Sequence, residues 1–142
     1  MAQDRPVIRL YATTIDCRDP YALARFYAEL TGWTIPWHSE EFACLGAPGA
    51  GQGEYPGLTF QRNDAYVPPV WPGEPGAQQT MEHLDFAVAD LPGAVEHALR
   101  CGATLARAQF SQDWTVMLDP EGHPFCLCRM GDMLASPGCA LR

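Results

Sequence analysis

Residues 8–33 read IRLYATTIDCRDPYALARFYAELTGW, and residues 82–104 read EHLDFAVADLPGAVEHALRCGAT. Each stretch runs from an apolar, strand-like segment to an Asp with a Pro one or two residues later. A helix-period stretch and a Gly follow. Asp19 and Asp90 are N-cap residues by pattern, because a carboxylate there accepts from helix N–H groups that have no partner of their own. Pro20 and Pro92 suit the first turn, where a missing N–H costs nothing. Leu23, Phe26, Tyr27 and Leu30 fall on one helical face, as do Leu91, Ala94, Val95, Ala98 and Leu99 in the second copy. Gly32 and Gly102 fit the left-handed position that ends a helix. The intervals from Asp to Gly are thirteen and twelve residues, so the copies are nearly in register. Two copies are too few for a solenoid. They predict a pair of related modules.

Strand-like runs follow each helix. In the first module they are residues 34–37, 42–45 and 57–62, the last two separated by the Gly-rich loop APGAGQGEYPG (47–57). In the second they are 104–108, 114–118 and 125–129, with the turn DPEGHP (119–124) joining the last two. Each module is therefore strand, helix, strand, strand, strand, and the fold class is α+β. A single domain of 142 residues is expected, with module one over about 7–64 and module two over about 80–130. The prolines of AYVPPVWPGEPGAQQ (65–79) forbid helix or central strand there and predict an extended linker. The tail 131–142 has no periodicity and is expected to pack loosely.

Composition narrows the function classes. A chain this long buries roughly 68–70% of its unfolded surface, enough to fold without a metal or disulfide. Nine basic against seventeen acidic residues give a net charge of −8. Without a basic stripe to release counterions, nucleic acid is not an expected partner. No window approaches the roughly eighteen apolar residues of a membrane span. The N-terminus lacks the charged and apolar regions of a secretory signal, so a cytoplasmic location with six reduced cysteines is expected.

The segments DPYALARFY (19–27), EHLDFAVAD (82–90) and DPEGHPFC (119–126), in this order and within a repeated βαβββ module, resemble the vicinal oxygen chelate superfamily. The stretches FQR (60–62), PPVWP (68–72) and HPFCL (123–127) look most like its glyoxalase-like and bleomycin-resistance-like bacterial members. The resemblance spans about residues 8–130. It implies two modules forming a cup of mixed β-sheet with flanking helices. It also implies a divalent metal held by His, Gln or Glu from the first and fourth strands, polarising two neighbouring substrate oxygens.

Carried over position by position, those ligands are mostly missing. Seven residues before Asp19 stands Ala12, which cannot ligate; seven before Asp90 stands His83, which can. Seven after Asp119 stands Cys126 where the resemblance implies an acid, and the fourth strand of module one offers only Thr59 or Gln61. One competent ligand and a thiol make a poor site for a hard cation. The usual metal site is therefore expected to be absent, with no cofactor, although a soft metal on His83, Cys126 and Cys128 stays open.

Strand alternation gives a separate reading of the cup. It turns His83, Asp85 and Ala87 inward on one strand and Ala12, Thr14 and Asp16 on its counterpart. Thr59 and Gln61, and Cys126 and Cys128, follow on the final strands. Trp37, Tyr66, Trp71 and Trp114 are expected at the rim. Thr14, Asp16, Thr59, Gln61, Trp71, Trp114, Cys126 and Cys128 are the expected ligand-binding residues. A His–carboxylate pair suits proton transfer near neutral pH, which makes His83 and Asp85 the catalytic candidates. The bland alternatives stand beside these: His83 as a half-buried imidazole bonded to Asp85, the thiols as inert small hydrophobes. His38, His97 and His123 read as surface or turn residues.

The leading expectation is a metal-independent binder of a small organic molecule. The alternative is a lyase or isomerase using His83 and Asp85 as acid and base, or a non-standard divalent metal site. A homodimer is compatible with either. An accessory partner-binding role would rest on the Pro-rich segment alone.

Overall fold

The computed structural model of the chain describes residues 6–8, 10–49 and 57–131. Most of the Gly-rich loop and nearly all of the 131–142 tail lie outside the described residues. The first module comprises β1 (Thr13–Cys17), α1 (Pro20–Thr31), β2 (Thr34–His38), β3 (Phe42–Gly46) and β4 (Gly57–Arg62). The second comprises β5 (Leu84–Val88), α2 (Leu91–Cys101), β6 (Thr104–Leu105), β7 (Trp114–Leu118) and β8 (Pro124–Arg129). The two sheets have the same order, β1-β4-β3-β2 and β5-β8-β7-β6. In each, the first strand pairs parallel to the fourth and the remaining pairs are antiparallel.

The local signals act where the sequence puts them. Asp19 accepts from Ala22 N–H (3.0 Å) and Asp90 from Gly93 N–H (3.2 Å), each satisfying one orphan donor of its helix. Gly32 and Gly102 close the helices at φ 75° and 111°, a conformation that a Cβ disfavours.

One expected strand is much shorter than its pattern. β6 ends at Leu105; Ala106 N–H still donates to the Val116 carbonyl (3.1 Å), and beyond it the side chain of Gln109 takes over the pairing. Its amide donates to the Ala106 and Val116 carbonyls (2.9 and 2.8 Å) and accepts from Val116 N–H (2.8 Å). A side-chain amide thus fills the role of a neighbouring backbone while the chain turns away.

The helix-facing residues of both sheets join a single core. Leu58, Phe60, Ala43 and Leu45 of the first sheet belong to the same buried cluster as Met117, Phe125 and Leu127 of the second. Tyr27 of α1 is the hinge of this packing: its ring lies 5.5 Å from Phe60 and 6.1 Å from Phe86. Phe26 meets Phe125 edge-on at 6.0 Å. Removing one such buried aromatic ring costs about 3–5 kcal/mol, so neither module presents an independent apolar interior. Among the described residues no helix is long and apolar enough to cross a membrane.

Residues 63–83 contain neither helix nor strand. Trp71 leaves this linker to pack on the helix-free face of the second sheet, against the small cluster of Ala106, Val116 and Cys126.

Candidate functional site

The pairing register fixes which side chains share a face. On the first sheet Thr14 stands opposite Thr59 and Asp16 opposite Gln61. On the second, Asp85 stands opposite Cys126, and Cys126 opposite Val116. Trp114 faces Cys128 across the same antiparallel ladder. Alternation therefore groups the expected residues correctly, as one patch on each sheet. Thr14, Asp16 and Gln61 are exposed and Thr59 half-buried, so the first patch is an open surface of hydroxyls, an amide and one carboxylate. Asp16 is held by Asn63, whose amide donates to its carboxylate (2.9 Å).

The second patch carries the denser chemistry. His83 Nε2 lies 3.3 Å from Asp85 Oδ1, and both side chains are well exposed. With Cys126 they offer three ligand atoms, all within 4.8 Å of one another. The Cys126 thiol is pushed up to about 12, first by burial, then by its hydrogen bond to Asp85 and the charge there, with Cys128 adding to it. Cys128 is raised in the same direction by burial and by Asp85. Neither thiol is an activated nucleophile.

Imidazole, carboxylate and thiol on one face form a donor set that suits a borderline or soft divalent ion and leaves coordination positions open. The set stays poor for a hard cation, but the expectation that no metal-ligating group of side chains is present is revised here. Counting ligands at the resemblance's positions left out Asp85, two residues along the strand from His83, which points to the same side.

A cleft of about 460 Å³ opens beside this cluster. Thr13–Asp16 of β1 form one wall, and His83 and Leu84 another. Linker residues including Tyr66, Gln79 and Thr80 complete it, and Tyr27 and His123 contribute from the interior. Among the expected residues, Thr14, Asp16 and His83 reach this cleft. Thr59, Gln61, Trp71, Asp85, Trp114, Cys126 and Cys128 do not line it. Trp71 covers the Cys126 side, with its indole N–H buried and unpartnered.

The sequence reading missed the cleft's interior polar group. Asp119 is buried, its side chain wholly so. Burying a carboxylate is expensive unless several donors converge on it. Here the Tyr27 hydroxyl donates to Oδ2 (2.8 Å), while Glu121 N–H and His123 N–H donate to Oδ1 (2.9 and 3.0 Å). His123 Nδ1 completes the set, 2.8 Å from Oδ2. His123 is therefore no free turn residue. Its side chain is 16% exposed and its Nε2 lies 2.8 Å from the Asp16 carbonyl of β1. The one sequence signal was an Asp and a His four apart within a Pro-flanked turn.

The other two histidines also have partners. His97 Nε2 reaches the Glu29 and Leu30 carbonyls at the end of α1, and His38 stacks on Tyr21 at 4.1 Å.

Comparison with known proteins follows the same lines. Several solved structures share the fold at low sequence identity. A glyoxalase/bleomycin resistance protein/dioxygenase family enzyme from Burkholderia phytofirmans PsJN superposes with a TM-score of 0.60 at 20% identity, covering 82% of this chain and 94% of that one. A hypothetical protein from S. aureus gives 0.62 at 13% identity, covering 89% and 96%. The trypanothione-dependent glyoxalase I of Leishmania major gives 0.58 at 16% identity, covering 90% and 91%. No curated protein sequence matches the chain. The sequence pattern of the glyoxalase-like domain matches residues 12–128, from the position before β1 to the penultimate residue of β8. With both modules and their order accounted for, the chain belongs to the glyoxalase-like domain family of the vicinal oxygen chelate superfamily.

Proposed function

We propose that this protein is a small-molecule enzyme of the lyase or isomerase type, built on a non-standard divalent metal site at His83, Asp85 and Cys126. One observation carries the reading: three chemically different donors converge within 4.8 Å on the helix-free face of the second sheet. His83 belongs both to this set and to the lining of the cleft, so a molecule in the cleft lies next to the donors.

The residues divide the work by position. His83 and Asp85 are exposed and 3.3 Å apart; with an ion bound they would serve as its ligands, and without one the pair would suit acid–base chemistry on a bound substrate. An ion on these donors supplies Lewis acidity toward substrate oxygens. Thr14 and Asp16 on the opposite wall offer a hydroxyl and a carboxylate that orient a polar ligand, while Ile15, Leu84 and the linker provide apolar surface. Asp119 stays behind the wall, bonded to Tyr27 and His123, which line it.

A second reading, sequestration of a ligand without chemistry, is favoured by the cleft itself, because affinity alone needs only the cavity and its mixed lining.

One experiment separates the two. The full chain is purified without chelator or metal-affinity tag and its metal content measured before and after incubation with zinc. The enzyme reading expects close to one equivalent of a divalent transition metal per chain, lost in His83→Ala. A chain that stays metal-free after zinc is added, and shows no thermal stabilisation by it, overturns the metal site. Sequestration, or acid–base chemistry by His83 and Asp85 without an ion, is then what remains, and loss of turnover in His83→Ala tells them apart.

A further inference from the structure

The Tyr27–Asp119–His123 group belongs to neither patch, yet it joins the two modules at the inner end of the cleft. Both ring nitrogens of His123 face acceptors. Nδ1 lies 2.8 Å from the Asp119 carboxylate, and Nε2 lies 2.8 Å from the Asp16 backbone carbonyl. A carbonyl oxygen only accepts, and the Asp119 carboxylate already takes three donors from Tyr27, Glu121 and His123 N–H. A neutral imidazole carries one N–H and one lone pair. With a neutral ring, one of these short contacts would set a lone pair against an oxygen.

We propose that His123 is a positioning residue in the form of a doubly donating imidazolium, a charged latch that ties the turn of the second module to β1 and so fixes the width of the cleft.

The latch has a second strand. Glu121, two residues before His123, accepts from the backbone N–H groups of Arg18 and Asp19 at the end of β1 (2.6 and 3.1 Å). The Tyr66 hydroxyl donates to the Glu121 carbonyl (2.8 Å), and its ring lies 4.9 Å from that of His123. Opening His123 from Asp16 therefore loosens the turn that also holds Arg18 and Asp19. Both ends of this contact line the cleft, as Asp16 and His123.

The surroundings favour the cation. Its own turn contributes Asp119 and Glu121. The β1–α1 junction contributes Asp16, Cys17, Arg18 and Asp19, α1 contributes Tyr27, and the linker contributes Asn63 and Tyr66. The Asp119 and Glu121 carboxylates and the Asp16 carbonyl act on the ring, while the Arg18 guanidinium leans over Tyr66 at 5.7 Å. Tyr27 and Tyr66 have their phenol pKa raised, chiefly by burial, and remain neutral donors. Burial opposes the charge on His123. The hydrogen bond and charge of Asp119, the Asp16 carbonyl and Glu121 outweigh it, and the net shift is upward. The latch stands whether or not an ion binds at His83.

The test uses the full chain with nitrogen-15-labelled histidine. Long-range proton–nitrogen spectra between pH 5.5 and 9 read the protonation of each ring. The expected result is a His123 ring still doubly protonated at the ordinary histidine midpoint of about 6.5, titrating at higher pH. A ring that is neutral at pH 6.5 overturns the proposal, and this readout needs no variant to fold.

Amide exchange supplies the positional readout. Protection at Arg18 and Asp19 is expected to fall roughly tenfold as pH rises through the His123 midpoint, about the loss of one charge-assisted hydrogen bond. In His123→Gln that pH-dependent step disappears while the fold is retained. Protection that tracks pH equally in His123→Gln and in the parent chain overturns the positioning role.

Discussion

Thr14 opposite Thr59 in the first module and Asp85 opposite Cys126 in the second occupy the same register on the same kind of strand pair. Each Thr14 and Asp85 lies five residues before its helix-capping Asp, so the backbone geometry is shared. The chemistry is not. One face presents hydroxyls, an amide and the Asp16 carboxylate; the other gathers imidazole, carboxylate and thiol within 4.8 Å, with Trp71 packed on its Cys126 side. A duplicated backbone thus fixes where side chains converge without fixing what they do.

The modules differ equally in how their third and fourth strands connect. In the first, ten residues (47–56) join β3 to β4; in the second, five (119–123) join β7 to β8. The short turn folds back onto the partner module, through Asp119, Glu121 and His123.

The largest expected effect follows from that turn. Asp119→Ala leaves the Tyr27 hydroxyl, two backbone N–H groups and the His123 ring facing an empty space. Breaking a buried charge network in this way costs about 3–5 kcal/mol, to be read as a shift in the urea midpoint at unchanged slope. A cost below about 1 kcal/mol would show that the modules are held by their apolar core alone, and that the difference between the two turns carries no weight. The His123 part of the same network has a definite pH sign. A pKa raised in the folded state adds stability that is complete below the unfolded value and is lost as pH climbs through the folded one. The gap between the parent chain and His123→Gln should narrow toward alkaline pH.

Next in size is the contrast between the two helix-free faces. Cys126→Ser and Thr59→Ser alter matching positions by one atom or one methyl group. Serine is a far weaker ligand than thiolate for a soft ion. Cys126→Ser is therefore expected to weaken zinc binding by at least about a hundredfold, beyond the 10–100-fold typical of outer-shell changes. Thr59→Ser should leave zinc binding unchanged. Isothermal titration on both variants decides it, and equal affinities would mean that the second face is no more a donor set than the first.

These contrasts also mark where sequence reasoning stops. The helix caps and the left-handed glycines were legible because each is decided within four or five neighbouring residues. Face assignment was legible because alternation is strict, and the register puts Thr14 with Thr59, Asp16 with Gln61 and Asp85 with Cys126 side by side. The donor set was half-legible: alternation aimed Asp85 at the right face, but taking ligands position by position hid its convergence with Cys126, forty-one residues away. The β6 strand was over-read, because an apolar run cannot reveal that Gln109 will replace its partner. The latch was hidden most completely. Tyr27 and Asp119 are 92 positions apart, and nothing periodic links a helix residue to a turn in the other module.

The smallest expected effect is an equality. Asp19 and Asp90 cap their helices through the same contact, to Ala22 N–H at 3.0 Å and Gly93 N–H at 3.2 Å. Losing a side-chain cap costs roughly 1 kcal/mol, so Asp19→Ala and Asp90→Ala should match each other if the modules are equivalent at their helix starts. One asymmetry works against that match. The Asp19 backbone N–H also donates to Glu121 of the other module (3.1 Å), a bond that survives the substitution because it uses the main chain. It holds the end of β1 in place when the side chain is gone, so Asp19→Ala is expected to cost slightly less than Asp90→Ala. The reverse order, measured by chemical denaturation of both variants, would mean that the Glu121 contact depends on the cap and is too weak to support α1 by itself.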